Sequence, residues 1–309
     1  MEQSNKTIVF GALFLDDSFS TSVNLKKSNR LFETYLKCAF VSLFSAKEKN
    51  PNCNVALVTN IDKDSNELIL FKKVNIEIVN LKFDSFLFDR QYKWAAAFYK
   101  LCVLKHILNN FDYENIVLID LDTVSIDNYD SILLETKSNI LAYDINEGLN
   151  NPNYCKFINE ANSFGVDGYI THYGGEFLAG NKRLMQKFID KAFSIYKKMI
   201  NDNFVTTFGD EFISCIALDE MKEHVKNASP YIYRFWTGTN YLSTTQLTFD
   251  PFIILHVPAE KENGLIKIFK YIIKHRKMPS FNRGVRLLKL DCRPYRVRFL
   301  LLIKRIIKH

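Results

Sequence analysis

The sequence predicts an α/β fold, with an open, mostly parallel sheet flanked by helices and a basic helical appendage at the C-terminal end. Three observations carry this expectation. Apolar strand-like runs alternate with amphipathic helical spacing through residues 1–260, as strand–helix–strand units require. The run Ile116-Val117-Leu118-Ile119 is continuously apolar, the pattern of a strand buried on both faces of a parallel sheet. Finally, 309 residues with 47% apolar and 24% charged side chains support a large core, and 11 Gly and 7 Pro exclude fibrous or low-complexity structure.

Taken in order, residues 8–10 read as a first buried strand ending at Gly11. Residues 32–47 have helical spacing, with Tyr35, Leu36, Ala39, Phe40, Leu43 and Phe44 on one face. Asn50-Pro51-Asn52 breaks that helix, and strands follow at 54–59 and 75–79. Residues 92–108 read as one long helix with Trp94, Phe98, Leu101, Leu104 and Leu108 on its apolar side. The strand 115–119 comes next and ends abruptly in Asp120-Leu121-Asp122. A strand at 140–143 precedes 146–168, which is polar, rich in Asn and Gly, and reads as a loop. A short strand at 176–180 and an amphipathic helix at 182–199 follow. Gly209-Asp210-Glu211 sits just before a helical run at 212–218, and a last buried strand at 252–255 ends at His256.

The net charge of +7 is unevenly placed. Residues 261–309 hold 15 Lys/Arg against 2 Asp/Glu, a net +13, which leaves 1–260 at −6. A basic nucleic-acid-binding body is thereby disfavoured, and no nucleic-acid partner is expected. Two regions follow from the same asymmetry: a mildly acidic α/β body over 1–260 and a basic amphipathic region over 261–309. In 296–308, Phe299, Leu302, Ile303, Ile306 and Ile307 share one helical face opposite Arg298, Lys304, Arg305 and Lys308. Residues 265–277 repeat the theme. Such helices lie on anionic membrane surfaces; the alternative, packing of the apolar face on the body, weighs more for 265–277.

The N-terminal residues carry no signal-peptide pattern, and no stretch approaches 18 consecutive apolar residues. The six cysteines (Cys38, Cys53, Cys102, Cys155, Cys215 and Cys292) are scattered without a C-x-x-C pair. They read mostly as reduced core thiols, not as a metal site or a disulfide framework. A cytoplasmic protein, peripheral on the inner face of a membrane, is expected.

Asp120 and Asp122 have a chemical use. Carboxylates at i and i+2 point the same way on a strand, and a turn at its end lets them converge on one hard divalent cation such as Mg²⁺ or Mn²⁺, which bridges carboxylates to substrate phosphates. With Tyr99-Lys100-Leu101 upstream and Thr123-Val124 downstream, this stretch resembles the donor site of GT-A fold glycosyltransferases. The nearest likeness is to the glycogenin and bacterial lipopolysaccharide-galactosyltransferase type. The resemblance implies that Asp122 coordinates the metal, that Asp120 touches metal and ribose, and that Lys100 holds the donor, with Lys93 or Arg90 as alternatives. Tyr173-Gly174-Gly175-Glu176-Phe177-Leu178-Ala179-Gly180-Asn181 is similar to the family's small-residue strand lining the sugar pocket, although Gly or Glu176 stands where the family carries Asn. Asp210-Glu211 resembles the acidic pair beneath the transferred sugar, and His256 the third metal ligand. Lys261 resembles the diphosphate-binding lysine, one residue early. By the same resemblance the base lies near Gly11, Ala12, Thr59 and Asn60.

The implied activity is metal-dependent transfer of a sugar from a nucleotide-sugar, a UDP-sugar by the resemblance, to a glycan or lipid-linked acceptor, with retention of configuration. Two alternatives stand beside it: an inverting transferase with Asp210 or Glu211 as base, and a catalytically inactive nucleotide-sugar-binding scaffold. A nucleotidyltransferase is disfavoured because no Gly-rich phosphate loop follows the first strand.

Overall fold

Apolar runs supply the central sheet. The computed structural model describes residues 6–16, 31–145, 147–237 and 252–290. Strands β1 (Thr7–Leu13), β2 (Asn54–Thr59), β3 (Glu77–Asn80) and β4 (Asn115–Ile119) alternate with helices α1 (Leu31–Lys49), α2 (Ile69–Lys73) and α3 (Tyr99–Asn110). Next come β5 (Thr123–Ser125), α4 (Asp130–Thr136), β6 (Ile140–Asp144), α5 (Pro152–Ser163), β7 (Tyr173–Asn181), α6 (Lys182–Asn201) and α7 (Asp210–Asp219). The described chain closes with β8 (Val225–Asn227), β9 (Ile232–Arg234), β10 (Ile254–His256), α8 (Gly264–His275) and α9 (Phe281–Leu287).

The main sheet has the order β3-β2-β1-β4-β7-β6-β8, and a small sheet has the order β5-β10-β9. Within the main sheet β7 runs antiparallel to both neighbours, while the other pairings are parallel. The expected open, mostly parallel α/β sheet is therefore present. Alternate residues of its inner strands feed two cores: Ile8, Phe10, Ile116 and Leu118 face a cluster shared with α3, α6 and α7. Val9, Leu13, Val117 and Ile119 face a cluster shared with α1 and α8. Chain order reverses between β1 and β4, and the crevice beyond the carboxyl ends of strands at such a switch is where ligands bind in open α/β sheets.

Several expectations are corrected. The helix read over 92–108 begins only at Tyr99, after a 3₁₀ turn at Ala95–Phe98. Tyr92 and Trp94 are held elsewhere: the Tyr92 hydroxyl donates to the Thr206 carbonyl, and Trp94 packs over Gly209. The loop read over 146–168 contains α5, which starts with Pro152 and is capped by the Asn151 side chain accepting from the Asn153 N–H at 2.8 Å. Its polar composition hid the buried face of Tyr154, Phe157 and Ala161. β1 continues past Gly11, which pairs with Leu57; the Leu121 side chain fills the space that a Cβ on Gly11 would need.

Of the basic region, α8 packs on α1. Leu265, Ile268 and Ile272 are buried, the Phe269 ring meets the Phe40 ring edge-on at 5.6 Å, and Lys267, Lys270 and Lys274 are exposed. The helix read over 296–308, and Cys292, lie outside the described residues. Among the described residues no helix is long and apolar enough to cross a membrane.

Candidate active site

β4 ends at Ile119, but the chain stays pinned for three more residues. The Asp120 N–H donates to the Glu176 carbonyl at 2.8 Å, and the hydroxyls of Thr123 and Ser42 donate to the Asp120 carbonyl at 2.7 and 3.1 Å. β5 then pairs with β10, placing His256 opposite Thr123, and the Val257 N–H donates to the Asp122 carbonyl at 3.0 Å. This register delivers His256 to the turn. One ligand atom from each of Asp120, Asp122 and His256 lies within 4.8 Å of the others.

Cations surround these carboxylates. Lys100 Nζ is 2.8 Å from Asp120 Oδ1, and Lys261 donates to Asp122 Oδ2. His256 Nε2 lies 3.2 Å from Asp122 Oδ1 and Nδ1 lies 3.2 Å from Glu176 Oε1. Burial works against the charge on His256, but Asp122 and Glu176 outweigh it and push its pKa up to about 9. Burial likewise opposes ionisation of Asp122, yet Lys261 and His256 hold its carboxyl well below the usual range. Two carboxylates and an imidazole form a mixed oxygen–nitrogen donor set of the kind that can hold a divalent metal ion. The two ammonium groups mark where positive charge is wanted.

The Gly174-Gly175-Glu176 segment of β7 makes room for cations. A Cβ on Gly174 would collide with Glu176 Oε2 and Arg234 Nη2, and one on Gly175 would lie 3.0 Å from Lys100 Nζ. Lys100 donates to the Gly175 carbonyl at 2.9 Å. Glu176 is buried and takes a forked pair from Arg234, with Nε at 2.7 Å and Nη2 at 2.6 Å. Burial disfavours its charge, but Arg234 and then His256 draw its pKa down to about 2.

Asp210 and Glu211 open α7 behind Gly209, whose φ of +65° is a left-handed conformation that favours glycine. Their environments differ. Glu211 Oε1 accepts the Gly175 N–H at 3.0 Å and Oε2 faces His172 Nε2 at 3.2 Å. Burial opposes its ionisation, but the His172 hydrogen bond and the charge of Arg234 keep its pKa below the ordinary glutamate value. Asp210 lies 3.9 Å from Lys100; burial, only partly offset by Lys100, lifts its pKa to about 7. Two adjacent carboxyls thus titrate apart, the pattern of groups with separate acid–base roles.

Lys100, Asp120, Asp122, Glu176, Asp210, Glu211, Arg234, His256 and Lys261 face one cavity of 820 Å³, bounded also by Glu147, Lys156, His172 and Trp236, whereas Gly174 and Gly175 do not line it. A second space of 230 Å³ shares Lys93, Trp94, Lys100, Asp120, Asp122 and Lys261 with it and is walled also by Ala12, Phe14, Tyr35 and Tyr99. Gly11, Thr59 and Asn60 line neither space. Asn60 instead clamps the strand exit, its Nδ2 donating to the Leu15 carbonyl and its Oδ1 accepting the Leu15 N–H. Thr59 is buried at the end of β2. Arg90 is exposed and borders neither space. Lys93 is exposed, its Nζ 4.8 Å above the Trp94 ring.

Sequence reasoning missed Arg234 and His172. Arg234 sits on a three-residue strand with no periodicity to flag it. His172, stacked on Phe157 at 4.5 Å and bonded through Nδ1 to Glu147 at 2.7 Å, lies between the 146–168 segment and β7, where no periodicity or motif marks it.

No protein-family model matches the sequence, and no curated protein matches it. Among solved structures the chain is similar to galactosyltransferase LgtC in complex with donor and acceptor sugar analogues. Identity is 15%, the TM-score is 0.49, and the match covers 81% of this chain and 86% of that one.

Proposed function

We propose that the chain is a metal-dependent glycosyltransferase that moves a sugar from a nucleotide-sugar, specifically a UDP-sugar, to a glycan or lipid-linked acceptor. The observation that carries the proposal is the convergence of Asp120, Asp122 and His256 at the carboxyl end of the central strand. The same cavity holds the second carboxylate pair, Asp210 and Glu211. Asp120, Asp122 and His256 would hold Mn²⁺ or Mg²⁺, which when bound neutralises charge on a departing nucleoside diphosphate.

Each remaining residue has a task in this reading. Ala12 and the aromatic lobe around Phe14, Tyr35 and Trp94 offer an apolar slot for a base. Lys261 exchanges Asp122 for a diphosphate oxygen, and Lys100, between Asp120 and Asp210, bridges the nucleotide and sugar sides. Glu211, ionised and fixed by His172 and Gly175, sets a negative field that stabilises an oxocarbenium-like sugar. Asp210 can exchange a proton near neutral pH and hydrogen-bond a sugar hydroxyl.

Retention of configuration is the primary reading. Inversion with Asp210 as base is the second, favoured by its pKa of about 7; NMR of the product anomer separates them. A Mn²⁺-supplemented screen of nucleotide-sugars for binding and slow hydrolysis tests the whole proposal. Failure to bind any nucleotide with Mn²⁺ present overturns it, whereas binding without turnover in the presence of acceptor glycans supports the inactive-scaffold alternative. The basic residues of 296–308 are proposed to hold the enzyme on an anionic membrane surface at the cytoplasmic face.

A further inference from the structure

The Glu176–Arg234 pair stands behind His256 in a way that plain stabilisation does not explain. A buried ion pair is a poor stabiliser, because apolar residues of similar volume serve as well or better. Here the pair is built with care. Arg234 lies directly opposite His256 in the β9–β10 register. Its fork holds both Glu176 oxygens, at 2.7 and 2.6 Å. The Glu176 side chain has no solvent exposure, and Gly174 leaves the space that the pair fills. Glu176 also joins the two sheets: its carbonyl accepts the Asp120 N–H at 2.8 Å, and its Oε1 faces His256 Nδ1 at 3.2 Å.

His256 therefore has one ring nitrogen on a carboxylate anchored to the main sheet and the other turned to Asp122 at 3.2 Å. Imidazoles that ligate metals are oriented in this manner: a carboxylate takes the N–H of the far nitrogen and fixes tautomer and direction. We infer that Glu176 and Arg234 are positioning residues for His256. Glu176 takes the Nδ1–H so that Nε2 points at the cation held with Asp120 and Asp122, and Arg234 locks Glu176 in place. The inference rests on the metal-site reading of the proposed function. It gives Glu176 a task one step removed from the donor sugar, and gives Gly174 the task of housing the pair.

The test uses the full-length protein and Mn²⁺ alone, without nucleotide. Free Mn²⁺ is titrated by electron paramagnetic resonance, and spin-echo modulation from ¹⁵N-labelled histidine reports an imidazole bound to the ion. Glu176→Gln is expected to weaken Mn²⁺ affinity by about 10–100-fold and to reduce the histidine modulation. Because Glu176→Gln leaves the Arg234 charge buried without its carboxylate, the neutral double variant Glu176→Gln/Arg234→Met is measured beside it and is expected to show the same loss with a cooperative melt. Wild-type-like affinity, within twofold, and unchanged modulation in the folded double variant would overturn the inference while leaving the metal site standing. Absence of Mn²⁺ binding in the wild type overturns the metal reading itself, and this inference with it.

Discussion

Lys261 donates a hydrogen bond to Asp122 Oδ2 across 139 residues of sequence, tying the turn after β10 to the turn after β4. With His256 on the other carboxylate oxygen, both oxygens of Asp122 are met by cationic groups. A metal ion and Lys261 compete for the same carboxylate, whereas a metal ion and a diphosphate together leave Lys261 a phosphate partner. Lys261→Met is therefore expected to act with opposite signs. UDP affinity in the presence of Mn²⁺ should fall by about 1.5–3 kcal/mol, the usual value of a charged hydrogen bond, while affinity for Mn²⁺ alone should stay equal or rise. Titration calorimetry of both ligands checks the pair of outcomes; loss of both affinities together contradicts this role.

Gly174 supplies a stability prediction. Its missing side chain is replaced by the Glu176–Arg234 pair, neither member of which can retreat without losing buried hydrogen bonds. Gly174→Ala should cost about 1–3 kcal/mol, the range for overpacking, measured by urea denaturation. Gly148→Ala, where nothing lies near the added methyl, should change stability by no more than about 0.5 kcal/mol as expected for a surface site.

His172 predicts a pH dependence. Burial disfavours its charge, but Glu211 and Glu147 outweigh it and raise its pKa above the ordinary histidine value. A raised folded-state pKa means that the native state binds more protons over the interval, so stability falls as pH rises. The contribution is fully present below about 6.5, the unfolded histidine value, and is lost as pH rises through the folded value. The stability difference between wild type and His172→Phe should therefore shrink steadily from pH 6.5 upward in urea melts. A difference that grows with pH would contradict a His172 pKa raised by Glu211 and Glu147.

Asp120 and Asp122 were legible because one local pattern, an apolar run ending in D-x-D, places them without long-range information. His256 was not set apart by local pattern, since a histidine closing a buried run is commonly structural; only the resemblance to GT-A transferases singled it out, and the β5–β10 register is what brings it to the two carboxylates. Arg234 was not, because its meaning comes from a β9–β10 register and from a carboxylate 58 residues away. The α/β sheet followed from alternating periodicity, but the late start of α3 depends on Tyr92 and Trp94 being bound by the segment before α7. α5 was masked because its polar face outweighed three buried residues. The 265–277 segment carried a basic amphipathic pattern compatible with a membrane or a core, with core packing the weightier reading, and its contact with α1 agrees with the latter.

The C-terminal stretch gives a separable prediction. Deleting 296–309 should release the protein from anionic vesicles in a sedimentation assay and leave donor hydrolysis in solution within about twofold, since membrane attachment of this kind depends on apolar burial plus charge. A truncated chain that no longer folds would contradict the membrane role and indicate that the segment packs on the body.

The central claim, a nucleotide-sugar site organised around a divalent ion on Asp120, Asp122 and His256, is tested most directly by calorimetric titration of UDP into wild type and Asp122→Ala, with Mn²⁺ and with chelator. The account predicts binding by the wild type only with Mn²⁺, and loss of that binding in Asp122→Ala while the cooperative melt is retained. Equal UDP binding with and without Mn²⁺, or undiminished binding by Asp122→Ala, would contradict it.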